Sequence, residues 1–147
     1  MKRADTAQTV VARRLLSHEA QGAESAEELA AAAGRVHEKI FGRLATLLGA
    51  DGARALLARS VKLTAPEFPG LRVIDFDARP TESPAQQITT CLRGEAPATA
   101  TETAVALCAK MLALLTTLIG ERLTFQVLRR VWPSFDASAP REDEETK

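Results

Sequence analysis

Six apolar residues, Leu29, Ala33, Val36, Ile40, Leu44 and Leu47, recur at steps of 4, 3, 4, 4 and 3. That rhythm keeps one face of an α-helix turned inward for about five turns and fits no strand, whose period is two. Ser25 stands just ahead, with Glu28 three residues later. The serine hydroxyl can accept from the Glu28 amide while the carboxylate returns the bond, a capping box that fixes where the helix starts. Phe41 and Leu48 widen the stripe, and Gly49 supplies a stop. A helix of this length with a single apolar face needs other helices to cover it.

The partner is a second long run. Between Ala104 and Ile119 one stripe is Ala104, Leu107, Met111, Leu114 and Leu118; a second is Val105, Cys108, Leu112, Leu115 and Ile119. A helix apolar on most of its circumference is central or lies at a subunit interface. This stretch of 16 residues includes Lys110, Thr116 and Thr117. It falls short of the roughly 20 apolar residues of a membrane span, so a core helix is expected and no membrane partner.

Shorter elements complete the pattern. Residues 5–20 form a first helix, capped by Asp5 or Thr6, with Val10, Val11, Leu15 and Leu16 inward. Asp51 opens a third helix that carries Leu56, Leu57, Ser60, Val61 and Leu63, and Pro66 with Pro69-Gly70 ends it. Four prolines fall between 66 and 84. Within that stretch Leu71–Phe76 has strand-like composition, but a lone strand has no partner, and an extended loop is expected. Ser83-Pro84 pairs an N-cap with proline at the first helical position. A short helix follows to Leu92, broken by Gly94–Pro97. The last helix starts at Thr99 or Thr101; Gly120 either stops it or is tolerated within it, and helical spacing continues through Leu123, Val127 and Leu128 to Trp132, where Pro133 closes the element.

The expectation is an all-α fold: a small bundle of about five helices with one Pro-rich extended loop. Residues 1–136 form a single helical domain, and 137–147 an acidic flexible tail. Composition agrees. Ala and Leu supply 45 of the 147 residues, aromatics only 4 %, and tyrosine is absent. No internal repeat is legible.

Charge excludes some functions. Lys and Arg total 19 and Asp and Glu total 19, which argues against a strongly basic nucleic-acid binder. Arg129-Arg130-Val131-Trp132 sets two cations beside an aromatic, as does a nucleic-acid contact, but cations at a helix C-terminus also answer the macrodipole. Nucleic acid is not expected as a partner. Cys91 and Cys108, 17 apart, form no CxxC, and free thiols in the cytoplasm are expected. No secretory signal follows Met1-Lys2-Arg3. Arg outnumbers Lys 14 to 5 in an Ala-rich chain, a bias associated with GC-rich bacterial genomes.

Catalytic constellations are sparse. There is no G-x-S-x-G, no G-x-x-x-x-G-K-[ST] and no G-x-G-x-x-G. His18-Glu19 and His37-Glu38 are adjacent pairs, which diverge on a helix, so no metal site and no cofactor are expected. Cys108 lies on an apolar stripe, the place of an inert core thiol.

The segment Val36-His37-Glu38-Lys39-Ile40-Phe41-Gly42 resembles histidine phosphotransfer domains, helical bundles with an exposed phospho-accepting histidine. That resemblance implies His37 as the acceptor. The family places Lys and Gly three and four residues after the histidine; here Lys39 is at two and Gly42 at five, which moves the small residue to another angle on the helix.

Three functions remain as expectations. The first is a non-enzymatic interaction or regulatory protein, adaptor-like, acting as a homodimer or with another helical protein through Leu107, Met111, Leu114 and Leu118. The second is a phosphorelay component using His37. The third is a ligand-binding bundle lined by Met111, Phe125 and Trp132.

Overall fold

The computed structural model describes residues 7–22, 25–78 and 81–133. The capping residues Asp5 and Thr6 and the acidic tail lie outside them. Six α-helices follow in order: α1 (Ala7–Ala20), α2 (Ala26–Leu48), α3 (Ala50–Thr64), α4 (Pro84–Arg93), α5 (Pro97–Ile119) and α6 (Glu121–Val131). One 3₁₀ turn, Pro69–Val73, sits between α3 and α4, and no strand occurs among the described residues.

The capping box at Ser25 forms as the sequence predicts: the Glu28 amide donates to Ser25 Oγ at 3.0 Å, and the Ser25 amide donates to Glu28 Oε1 at 3.3 Å. Ser83 and Gln86 form a second. α5 begins at Pro97, earlier than Thr99, because proline suits the first helical turn. The expected count of five becomes six at Gly120. Its backbone (φ 93°, ψ 159°) occupies a region open essentially to glycine alone, so the helix stops there and α6 restarts on a new axis. The Leu71–Phe76 segment opens with the 3₁₀ turn rather than running extended throughout.

Gly49 adopts nearly the same conformation (φ 86°, ψ 156°) between α2 and α3. This likeness exposes a repeat that the sequence does not announce. α2 and α5 are each 23 residues long, each is preceded by a shorter helix, and each is followed by one glycine and another shorter helix. Superposing Gly49 on Gly120, 71 positions later, aligns Lys39 with Lys110, Leu44 with Leu115, Thr46 with Thr117, Leu57 with Leu128 and Arg59 with Arg130. Burial follows the same register: Val36 with Leu107, His37 with Cys108, Ile40 with Met111 and Val61 with Trp132 are all buried. Leu47 and Leu118, equivalent again, are 51 % and 59 % exposed.

The two halves are exchanged rather than stacked. α1 packs chiefly on α5, and α4 chiefly on α2; α3 also lies on α5, and α6 on α2. α5 is thus clothed largely by the short helices of the other half, and α2 about equally by those of both halves. α5 is long and apolar enough to cross a bilayer by length and composition, but more than half of its most apolar stretch is buried among these neighbours. One apolar core, from Val11 to Trp132, runs through all six helices.

Candidate functional site

α3 turns two faces to two tasks. Ala53, Leu57, Ser60, Val61 and Thr64 go into the core. The other face, at helical spacing, presents Asp51, Arg54, Ala55, Ala58 and Lys62 to a cleft of about 710 Å³. That volume is within the range of small-molecule sites. The opposite wall is the segment from Leu71 to Asp77. The floor is apolar: Val61, Ala65, Leu71 and Phe76 are all buried, and Ile74 is half-buried.

Several bonds pin the wall. The Asp75 amide donates to Oε1 of buried Gln87 at 3.1 Å. Asp75 Oδ1 accepts from the amides of Asp77 and Ala78, both at 3.1 Å, an Asx turn that bends the chain. Cys91 Sγ lies 3.3 Å from the Gly70 carbonyl and donates to it. Gly70 lies against Glu95: a Cβ there would stand 2.2 Å from Glu95 Oε2, the end of a flexible side chain that would have to swing aside. Leu71 and Phe76 are the apolar anchors of this wall. The Pro-rich segment is therefore a braced wall with an open cleft behind it.

Charges surround the mouth. Arg54 is half-buried, and Lys62 and Arg72 are exposed; none of the three pairs with a carboxylate among the described residues. The facing carboxylates are differently placed. Asp51 sits in the first turn of α3, where the helix dipole favours it. Asp75 is held by two amides.

The second repeat offers a comparison within the same chain. Positions equivalent to Ala55 and Ala58 carry Gln126 and Arg129, both exposed. The small side chains that open the cleft belong to the first repeat alone. The sequence carried this signal in Ala55 and Ala58 on the polar side of α3, just ahead of Pro66 and Pro69-Gly70. Without the folded wall nothing distinguishes those alanines from helix-favouring filler.

The residues singled out from the sequence lie elsewhere. His37 is 1 % exposed, with both ring nitrogens buried and unpartnered, so the exposed acceptor implied by the phosphotransfer resemblance is absent. Burial pushes its ring down to about 4, which keeps it neutral. Leu107 and Met111 are buried within the chain's own core and face no partner; α1 and α3 cover that side of α5. Leu114 is half-buried, and Leu118 remains exposed. The supposed ligand lining does not assemble. Met111 and Trp132 are packed in the core, while Phe125 borders a crevice of only about 20 Å³ beside Val11 and Leu128.

Trp132 has a structural task instead. Its indole N–H donates to Glu19 Oε2 at 3.3 Å. Glu19 also pairs with Lys39, and with Arg35 at 3.8 Å, so the ends of α1 and α6 are tied to the middle of α2. Burial raises the Glu19 carboxyl, but Lys39, Trp132 and Arg35 outweigh it and hold the group below its ordinary value. The tryptophan beside Arg129 and Arg130 is thus buried, unavailable for stacking on a base. The thiols are withdrawn as well: burial pushes Cys108 up to about 12, and burial with nearby Glu95 pushes Cys91 up to about 11. No three His, Cys, Asp or Glu side chains gather to hold a metal ion among the described residues.

No family model, curated protein sequence or solved structure matches this chain.

Proposed function

We propose that this is a non-catalytic binding protein, a helical interaction or regulatory module that holds its ligand in the cleft between α3 and the Leu71–Asp77 wall. The observation that carries this reading is the cleft itself: about 710 Å³, apolar at the floor, charged at the mouth and braced on one side. Pockets of this kind serve small molecules with an apolar body and a few polar points of attachment. The burial of His37 and Cys108 supports a role in binding rather than group transfer, because a nucleophile closed inside the core meets no substrate.

Native mass spectrometry of the purified chain, paired with a thermal-shift screen of small molecules, tests the reading. Ala58 is exposed in the cleft, so Ala58→Trp fills the space without disturbing the core. The variant is expected to lose a bound mass or a ligand-induced rise in Tm that the parent shows. Ligands that stabilise both proteins equally would reject the cleft as the site.

A second reading, self-association, rests on Leu118 and Leu47, equivalent leucines more than half exposed at the ends of the two long helices. A two-fold dimer is the simplest way to cover such residues. Light scattering across micromolar concentrations tests it. A dimer that becomes a monomer with Leu118→Glu supports the reading; a parent chain that is monomeric throughout rejects it.

A further inference from the structure

Resting on the cleft as the binding site, we propose that its ligand is an organic anion: an apolar body laid over Ala55, Ala58, Val61 and Phe76, with a carboxylate head held by Arg54 and the facing Arg72.

The argument begins with Arg54. It lies in the second turn of α3, is half-buried, lines the cleft, and has no carboxylate partner among the described residues. A guanidinium partly removed from water loses hydration that an anion would restore, and its planar fork matches a carboxylate with two parallel bonds. Asp51 stands three residues earlier on the same helix but makes no ion pair with Arg54. Arg72, without a carboxylate partner among the described residues, brings a second guanidinium from the opposite wall. Lys62 adds a third cation in the last turn, where the helix dipole by itself accounts for a positive charge.

The cleft is formally neutral, with three cations and three carboxylates along it. The carboxylates are the more committed group. Asp75 is bound to two backbone amides, and Asp51 is stabilised by the start of α3. Of the three carboxylates only exposed Asp77 has no such engagement among the described residues, so three cations stand against one and the balance left for an incoming molecule is positive. The apolar lining sets the rest of the ligand, because a small hydrophilic anion would leave exposed Ala55 and Ala58 and half-buried Ile74 facing water. The second repeat supports the assignment: the position equivalent to Arg54 carries Phe125, so neither the cation nor the opening is a default of the architecture.

The test is calorimetric titration of the full chain with decanoate, 1-decanol and decylamine below their aggregation limits. Three proteins are compared: the parent, Arg54→Gln and Ala58→Trp. Decanoate is expected to bind the parent about tenfold more tightly than decanol, and decylamine least. Arg54→Gln is expected to bring decanoate down to the level of decanol with Tm unchanged, and Ala58→Trp to remove binding of both. Equal affinity for decanoate and decanol, or decanoate binding that survives Arg54→Gln, overturns the organic anion. If Ala58→Trp still blocks binding in that case, the cleft stands as a site for neutral ligands. Binding indifferent to Ala58→Trp overturns the cleft as well. Failure of all three probes to bind the parent overturns the organic anion and leaves the cleft to the mass-spectrometric test.

Discussion

A Cβ added to Gly34 would stand 2.0 Å from Thr89 Oγ1 and 3.4 Å from the Ala85 carbonyl, so a side chain on α2 at this point would drive the Thr89 hydroxyl of α4 out of its place. In an open helix, replacing glycine by alanine gains about 1 kcal/mol. Here Gly34→Ala is expected to destabilise the chain by about 1–3 kcal/mol, through overpacking. Removing the hydroxyl with Thr89→Ala leaves the nearest atoms at 3.4 Å. In that background the same substitution becomes neutral or stabilising. Urea unfolding of the four proteins checks the reversal of sign.

Glu19 joins three helices, and its charge is the part that matters. Glu19→Gln keeps a group able to accept from Trp132 but loses the attraction to Lys39 and Arg35. The expected loss at pH 7 is about 1–2 kcal/mol. Because the folded carboxyl is held below its ordinary value of 4.5, it stabilises the fold above that pH and ceases to as acid protonates it. The difference between parent and variant should therefore shrink when urea titrations are repeated below pH 4.

His37 makes the opposite kind of prediction from the one implied by the phosphotransfer resemblance. Its ring stays neutral in the fold down to about 4, whereas the unfolded chain protonates near 6.5. The unfolded state binds the extra proton between those values, so stability falls as pH drops through that window, by at most about 3 kcal/mol. His37→Leu should remove that slope and be neutral or stabilising at pH 7, since it withdraws two unpartnered nitrogens from the core. Treatment with a phosphoryl donor should leave no acid-labile phosphate on the parent; a label lost in His37→Leu would refute the buried assignment.

The exchange of short helices predicts how a cut chain behaves. A protease site inserted between Ala78 and Ser83 severs the two repeats. With α1 on α5 and α4 on α2, the pieces are expected to co-elute on gel filtration and keep their helical circular dichroism. Separation into two stable fragments would mean that each repeat holds its own core.

Much of the architecture was legible because it depends on local rules. The Ser25 and Ser83 caps, the α2 stripe and the core position of Cys108 follow from spacing and helix-end chemistry. The repeat was not legible, because its identities, such as Lys39 with Lys110 and Leu57 with Leu128, are scattered, and at many other positions only burial is kept: Val36 matches Leu107, His37 matches Cys108, and Val61 matches Trp132. Leu107 and Met111 were misplaced for a related reason. Periodicity shows that α5 has two apolar sides, but not that the N-terminal helix returns to cover one. The cleft was hidden more deeply, since its mouth consists of alanines and solvent-facing charges, and only the folded 71–77 segment makes them one surface.

The pairing of α1 with α5 also sets a timetable. Arg13 and Glu102, which join these helices at the surface, are 89 residues apart in sequence. During synthesis at roughly 5–20 residues per second, the apolar side of α1 emerges roughly 5–20 s before its partner exists. Through that interval α1 has α2 to lie against, but the side that α5 will cover faces solvent, a chaperone or an incorrect neighbour. A helix that leaves the ribosome well before the helix it packs on most is where this fold is most exposed to misassembly.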